Sequence, residues 1–418
     1  MTVRRTRRPA GSGTVTQLPN GTWRAYVDAT PDPATGRRRR VSATGDSQRD
    51  ALARAEARRR DVEGDPFAHL GGMPTVAQWA DLWLEEVIRP RRTPNTLRTY
   101  SARLRTDIIP LLGSLPLDAV RPAHLRALER SILDGDPARG IRPRSTATCR
   151  TTLMVMYALL EAAVDEGFIE RSPAHAHDLP AQEPREVPCL TPDQAAFMIS
   201  LEPDPKWRLL WRLMFVTGMR VGEAVAITPD EVVERGGATC IEVAWQVKRF
   251  YRGHHVERGM PRGYETVRVG DHVWLTRPKT RAGRRVIPLP APLADELHAY
   301  MDSVRGTSTP GGLVFVSSRG NALGREAISL PWRKALERAG LPYVKPHSAR
   351  HTAASMLASL GVSDATRTAI IGHADIRTTN RVYTHSSVAE MLAATREVDR
   401  LVRGEAPATA RPAPTPTR

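Results

Sequence analysis

Lysine is almost missing from this chain: of 61 cationic residues only five, Lys206, Lys248, Lys279, Lys334 and Lys345, are lysines, and the other 56 are arginines. Where Arg is the default cation, each remaining Lys is informative, because an ammonium whose pKa falls can donate a proton and a guanidinium cannot. Cysteine is as scarce. Cys149, Cys189 and Cys240 lie far apart without Cys-x-x-Cys spacing, which argues against a disulfide frame or a zinc site and fits a reducing cytosol. There is no apolar run of about 18 residues and no signal-peptide core at the N-terminus, so a soluble, cytoplasmic protein without membrane contact is expected. No Gly-x-x-x-x-Gly-Lys loop is present to bind ATP. The pairs His254-His255 and His175-x-His177 have no further ligand in their loops, so no metal is expected.

What the chain has is positive charge. Lys plus Arg outnumber Asp plus Glu by 61 to 45, a net +16 over 418 residues, and such a field attracts polyanions, nucleic acid first. The length allows two or three domains, each with its own core. Residues 1–60 carry fourteen Arg against five acids. After a basic lead over 1–12, Thr-Val-Thr-Gln-Leu, a Pro-Asn-Gly turn and Trp23-Arg-Ala-Tyr26-Val-Asp spell a hairpin with Trp23 and Val27 on one face. Arg37, Arg38, Arg39 and Arg40 lead into a third strand, and Ser47 to Asp61 reads as a basic helix. Residues 1–65 are thus expected to be a strand-type DNA-reading module.

A Pro/Gly linker follows, and then four helical patterns over 74–178 form a small bundle. Val76, Trp79, Ala80, Trp83 and Val87 share the first helical face; Leu97, Tyr100, Leu104 and Ile108 share the second. Arg98, Arg103 and Arg105 flank that stripe and are candidates for phosphate contacts or for a solvated face. A polar, Pro-containing stretch from His175 to Pro188 separates this bundle from one larger domain over 189–403. There, helices alternate with strand-like runs at Thr239–Val247, Val273–Thr276, Arg285–Leu289 and Leu313–Val316. Residues 404–418, rich in Pro, Ala, Thr and Arg, are expected to be a disordered tail. The fold class is mainly α with small β-sheets.

The chemistry lies in the larger domain. In Thr-Gly-Met-Arg220-Val-Gly-Glu223, Gly218 breaks one helix and Arg220 begins the next, where side chain and backbone donors can converge on an anion. Glu223, three residues on, is placed to orient that guanidinium. Lys279 sits in Arg-Pro-Lys-Thr-Arg-Ala-Gly, a turn between strand-like runs. His347 and Arg350 project from one face near a helix start whose backbone N–H groups suit an anion. A helix from Ser363 ends at Gly372 with His373 behind it, and Tyr383 follows ten residues later. Alone, a helical Tyr reads as core and a His-x-x-Arg as a solvated face; together these groups suit a phosphate.

Taken in order, Arg220 after Thr-Gly-Met, Lys279, His347-x-x-Arg350, Ile-Gly-His373 and Tyr383 resemble the signature of the tyrosine recombinases, the phage-integrase family. The resemblance covers roughly residues 75–400: the bundle is similar to that family's SAM-like core-binding domain and 189–403 to its catalytic domain, while 1–65 looks like the arm-binding domain of the integrase subgroup. It departs from the pattern in two places. His-Ser-Ala-Arg stands for the commoner His-Asp-Leu-Arg, and residues 245–275 are longer than usual.

The resemblance implies a site-specific recombinase of a phage or other mobile element. It would work on double-stranded attachment sites as a homotetramer, without a cofactor, through a 3′-phosphotyrosyl link and a Holliday junction. Tyr383 would be the nucleophile, Arg220 and Arg350 the phosphate clamp, Lys279 the acid, His347 the base, and His373 a hydrogen-bond donor to the phosphate. A directionality factor or host DNA-bending protein would assist, and the helix after Tyr383 would pack on a neighbouring subunit or on its own core, the neighbour being favoured. The alternatives are dimer resolution of chromosomes or plasmids, which usually goes with shorter chains lacking the arm module, a relaxing topoisomerase, and a non-catalytic DNA-binding regulator.

Overall fold

The structure, a computed structural model, describes residues 14–19, 21–30, 39–64, 73–181, 188–251, 256, 259–278, 283–307, 309–372 and 387–406. The basic lead, most of the tail (407–418), Arg37, Arg38, His254 and His255 lie outside the described residues. The chain divides into two compact units, one of residues 1–92 and 96–182 and one of 93–95 and 183–418.

The first unit begins with an antiparallel sheet, β1 (Thr14–Gln17), β2 (Trp23–Ala29) and β3 (Arg39–Gly45), in that order. Period-two alternation turns Ala25 and Val27 inward onto Ala51 and Ala55 of α1 (Gln48–Gly64). Gly45 is required where strand meets helix, since a Cβ there would lie 2.5 Å from the Ala51 nitrogen. Arg39 and Arg40 open β3; Arg40 donates to the Thr14 hydroxyl at 3.0 Å and lies over the Tyr26 ring.

The bundle follows. α2 (Val76–Leu82), capped by Thr75 and Gln78, runs into a π-helical turn over Trp83–Ile88. α3 (Pro94–Arg103) passes through a second such turn into α4 (Ile109–Leu112), and α5 (Pro122–Asp134) and α6 (Thr146–Asp165) complete it. The first π turn corrects the sequence reading. Arg89 N–H reaches back to the Leu84 carbonyl, one residue further than in an α-helix, so Leu84 and Ile88 enter the core and Val87 is left at its edge. Arg103 is tied at 2.9 Å to Asp107, a fully buried carboxylate that also receives Thr152 and Arg144, whereas Arg98 and Arg105 are exposed. His177 is likewise structural, held by Tyr157 and Glu129. By length and composition α6 could cross a membrane, but its apolar face, with Leu153, Met156 and Leu160, is bundle core.

In the second unit α7 (Pro192–Ser200), α8 (Pro205–Thr217) and the single turn α9 (Val221–Ala224) lead into β4 (Val232–Arg235), β5 (Ala238–Val243), β6 (Gln246–Arg249), β7 (Thr266–Gly270), β8 (Val273–Thr276) and β9 (Arg285–Pro288). These strands form two antiparallel sheets, ordered β4-β5-β9 and β6-β8-β7. The expected strand Thr239–Val247 is therefore two strands in different sheets. The strand-like runs on either side of residues 279–282, β8 and β9, likewise belong to different sheets; Lys279 itself lies outside the described residues. Leu313–Val316 is not a strand: Val314 N–H bonds the Ile227 carbonyl and only Val316 makes a bridge, to Ala322.

Helices α10 (Ala291–Ser303), α11 (Arg325–Arg338), α12 (Ser348–Ser359), α13 (Asp364–Ile371) and α14 (Val388–Val402) surround a core centred on Trp211, Phe215, Phe315 and Trp332. The favoured packing of α14 on a neighbour is not what this structure has. Met391, Ala394, Val398 and Val402 are buried in the chain's own core, and Asp399 takes a two-pronged ion pair from Arg212 at 2.9 and 3.0 Å. Asp399→Ala would leave the buried Arg212 guanidinium with Glu296 as its remaining carboxylate and is expected to destabilise this unit by about 3 kcal/mol, read as a lowered urea midpoint; a loss under about 1 kcal/mol would show that the pair does not hold α14.

Candidate active site

Three helix ends meet at Gly218. It closes α8 in the left-handed conformation, φ +59°, and a Cβ there would strike Ile371 Cδ1 of α13 at 2.2 Å and come within 3.4 Å of Ala353 Cβ on α12. Only glycine allows both the turn and the approach. Arg220 then caps α9, with Glu223 one turn on. Glu223, 2% exposed, accepts from the Arg220 backbone N–H at 3.0 Å and from Arg220 Nη1 at 2.7 Å.

Arg350 enters from α12 and is 3% exposed. Its Nη1 donates to the Gly218 carbonyl at 2.8 Å and its Nη2 to the Gly372 carbonyl at 3.2 Å. Arg220 Nη2 donates to that same Gly372 oxygen at 3.4 Å. Two arginines from separate segments therefore converge on one carbonyl, at the residue before His373. His347, exposed, caps α12 three residues before Arg350, and its ring meets His351 edge-on at 5.3 Å.

A third arginine belongs to this cluster and was not singled out in the sequence. Arg285, at the start of β9 with 6% of its side chain exposed, donates to Glu223 Oε2 at 3.0 Å, to the Ile370 carbonyl at 2.7 Å and to the Gly283 carbonyl at 3.2 Å. Among the described residues, three guanidinium charges against one carboxylate leave +2 in a largely buried site. Burial, with Arg220 and Arg285 beside it, pushes the Arg350 pKa down to about 9. Burial also pushes Glu223 up, but the charge of Arg285 and the hydrogen bonds from Arg220 outweigh it and hold the carboxyl below its ordinary range. The site is short of an anion.

Backbone donors contribute less than the sequence suggests. The N–H of Arg220 is taken by Glu223, and the first N–H groups of α12 are bonded to the carbonyls of Lys345, Pro346 and His347. An anion here would therefore meet side-chain rather than backbone donors. The β6-β8-β7 sheet touches this scaffold: a Cβ at Gly222 would lie 2.9 Å from the Val247 carbonyl, so β6 runs directly against α9. Of the residues expected in the site, the structure brings together Arg220, Glu223 and Arg350; Lys279, His373 and Tyr383 lie outside the described residues.

Two regions of the chain match known families. Residues 264–390 match the phage integrase family, and residues 75–130 match the N-terminal SAM-like domain of phage integrases. An integrase from Saccharopolyspora erythraea is 23% identical over 431 residues, spanning 92% of this chain and 95% of the relative. The integrase of Mycobacterium phage L5 is 22% identical over 82% of this chain and 86% of its own length. A XerC-like tyrosine recombinase of Caldanaerobacter subterraneus is 23% identical over 74% and 79%. Among solved structures, the Tn1549 transposon integrase in complex with transposon right end DNA superposes with TM-score 0.57 at 19% identity, over 77% of this chain and 98% of that one. A lambda integrase tetramer bound to a Holliday junction gives 0.51 at 17%, over 90% and 99%. With its bundle and its larger domain both matched, the chain belongs to the phage integrase family of tyrosine recombinases, enzymes that exchange DNA strands.

Proposed function

We propose that this protein is the integrase of a phage or other integrative mobile element, cutting and rejoining DNA at specific attachment sites. The observation that carries the proposal is the shared Gly372 carbonyl: Arg220 and Arg350 already point at one place, in a site carrying surplus positive charge, where a scissile phosphate would replace the carbonyl as their acceptor. In the reaction, Tyr383 Oη attacks phosphorus, the P–O5′ bond breaks, and a 3′-phosphotyrosyl bond forms. His347 takes the phenolic proton, required because a free phenol has a pKa of about 10. Lys279 gives a proton to the departing 5′ oxygen. Arg220 and Arg350 hold the two non-bridging oxygens, Glu223 fixes Arg220, and His373 donates a hydrogen bond. One phosphodiester is exchanged for another, so no ATP is consumed.

Residues 1–65 would bind arm-type DNA, 74–178 and 189–403 would clasp the core site, and 404–418 would be a tail. A homotetramer supplies the four active sites that a Holliday junction requires, and a directionality factor or host bending protein would set the outcome. The XerC relatives raise dimer resolution as the second reading; the sheet-and-helix module at 14–64 favours the integrase. The test is nicked suicide DNA carrying the element's junction, in EDTA and without ATP. A covalent adduct is expected, with a free 5′-hydroxyl on the released strand, mapping to tryptic peptide 382–396. An adduct on another peptide, or hydrolysis without any adduct, would overturn the assignment.

A further inference from the structure

Glu223 presents an electrostatic problem. A carboxylate 2.7 Å from Arg220 orients that guanidinium, but alone it would also cancel the charge needed at the phosphate. Glu223 and Arg285 are each nearly sealed from solvent, with 1% and 6% of their side chains exposed, and they touch at 3.0 Å. Arg220 is 38% exposed and open to an incoming strand. The Arg285 Nε also ties the Ile370 carbonyl, two residues before the Gly372 oxygen on which Arg220 and Arg350 converge.

We propose that Arg285 is a positioning residue that neutralises Glu223, so that Glu223 can aim Arg220 without quenching it, and that fixes the end of α13 beside the phosphate site. This rests on the reading that Arg220 and Arg350 grip the scissile phosphate. Arg285 itself touches no substrate: its donors are spent on Glu223, Ile370 and Gly283. With it, three cations and one anion leave +2 to face a phosphate gaining negative charge; without it the balance is +1, and Glu223 falls to Arg220 alone.

The test compares cleavage of a phosphodiester suicide substrate with that of the same DNA carrying a methylphosphonate at the scissile position. The methylphosphonate has no negative non-bridging oxygen and so needs less positive charge. Arg285→Met should slow phosphodiester cleavage about a hundredfold, the scale of one preorganised electrostatic contact, with little change in DNA affinity, while methylphosphonate cleavage falls only severalfold. Arg285→Lys, which keeps the charge, should retain most of the rate. Combining Arg285→Met with Glu223→Gln removes the pair's charges together and should recover about tenfold over Arg285→Met alone. Because both substrates are assayed on one preparation, a partly misfolded fraction cancels from their ratio. Equal losses on the two substrates, or a double variant no faster than Arg285→Met, would reduce Arg285 to a structural brace and overturn the proposal. If the wild-type protein forms no covalent complex on the phosphodiester, the phosphate reading fails, independently of Arg285.

Discussion

A Tyr383→Phe protein is expected to bind its DNA with unchanged affinity and to form no covalent complex at all. The ring is kept and one oxygen removed, so whatever packs around residue 383 is conserved while the attacking atom is gone. Affinity should persist because it comes from cationic contacts with the sugar-phosphate backbone, none of which involves a phenol. The chain has eight tyrosines, and each of the seven described ones has a partner of its own: Tyr26 lies beneath Arg40, Tyr100 stacks on Trp83, Tyr157 bonds His177, Tyr251 meets His272, Tyr264 bonds Lys248, Tyr300 stacks on Phe315, and Tyr343 lies beneath Arg333. The measurement is gel-resolved adduct on nicked suicide DNA alongside a binding isotherm. Any adduct that survives the substitution transfers the nucleophile's role from Tyr383.

The parts of this fold that were legible in the sequence are those set by local rules. The α6 helix begins at Ser145 and α13 runs from Ser363 to Gly372 because a side-chain acceptor caps one end and a left-handed glycine closes the other, both visible as letters. What escaped depends on the rest of the chain. A π turn has no letter of its own, so the shift of core register from Val87 to Ile88 could not be read from a 3.6 period. The split between β5 and β6 is a corner at Ala244 and Trp245, where the Arg277 guanidinium sits 3.7 Å above the indole ring, a tertiary contact. For α14, the amphipathic pattern says that a face is buried and is silent on what covers it; the Arg212–Asp399 pair decides that.

The site divides along the same line. Among the described residues, Arg220 and His347 stand out because each sits at a helix boundary. Arg285 was invisible for the opposite reason: on a short strand, in a chain where Arg is the ordinary cation, nothing in its neighbourhood marks it as buried. The expectation of free N–H donors at α12 failed because the Lys345–His347 turn satisfies them, which composition does not reveal. On the proposed reading this leaves phosphate binding to guanidinium groups, whose loss should be more damaging than a helix-terminus site would suggest.

Arg350→Ala therefore carries the second large effect: strand cleavage slowed about 10²–10³-fold, with weaker loss of DNA binding. Of the two described phosphate ligands Arg350 is the more deeply buried, and it is held charged against burial and against two neighbouring guanidinium groups, which bring its pKa down to about 9. The sign of the linkage follows. The folded-state pKa lies below that of an unfolded Arg, so any stability this group lends exists at very alkaline pH and is lost as pH falls through about 9. At neutral pH it is a charge kept at a cost in the free protein, and a bound phosphate offsets that cost. Binding of the scissile phosphate should then raise the Arg350 pKa, take up protons near pH 9, and weaken as pH rises through that region. In Arg350→Ala the alkaline fall in affinity should flatten, and the free protein should be no less stable than its cavity and the unpaired Gly218 carbonyl require. Cleavage within about tenfold of wild type, or an alkaline limb unchanged by the substitution, would show that the buried charge is not spent on the substrate.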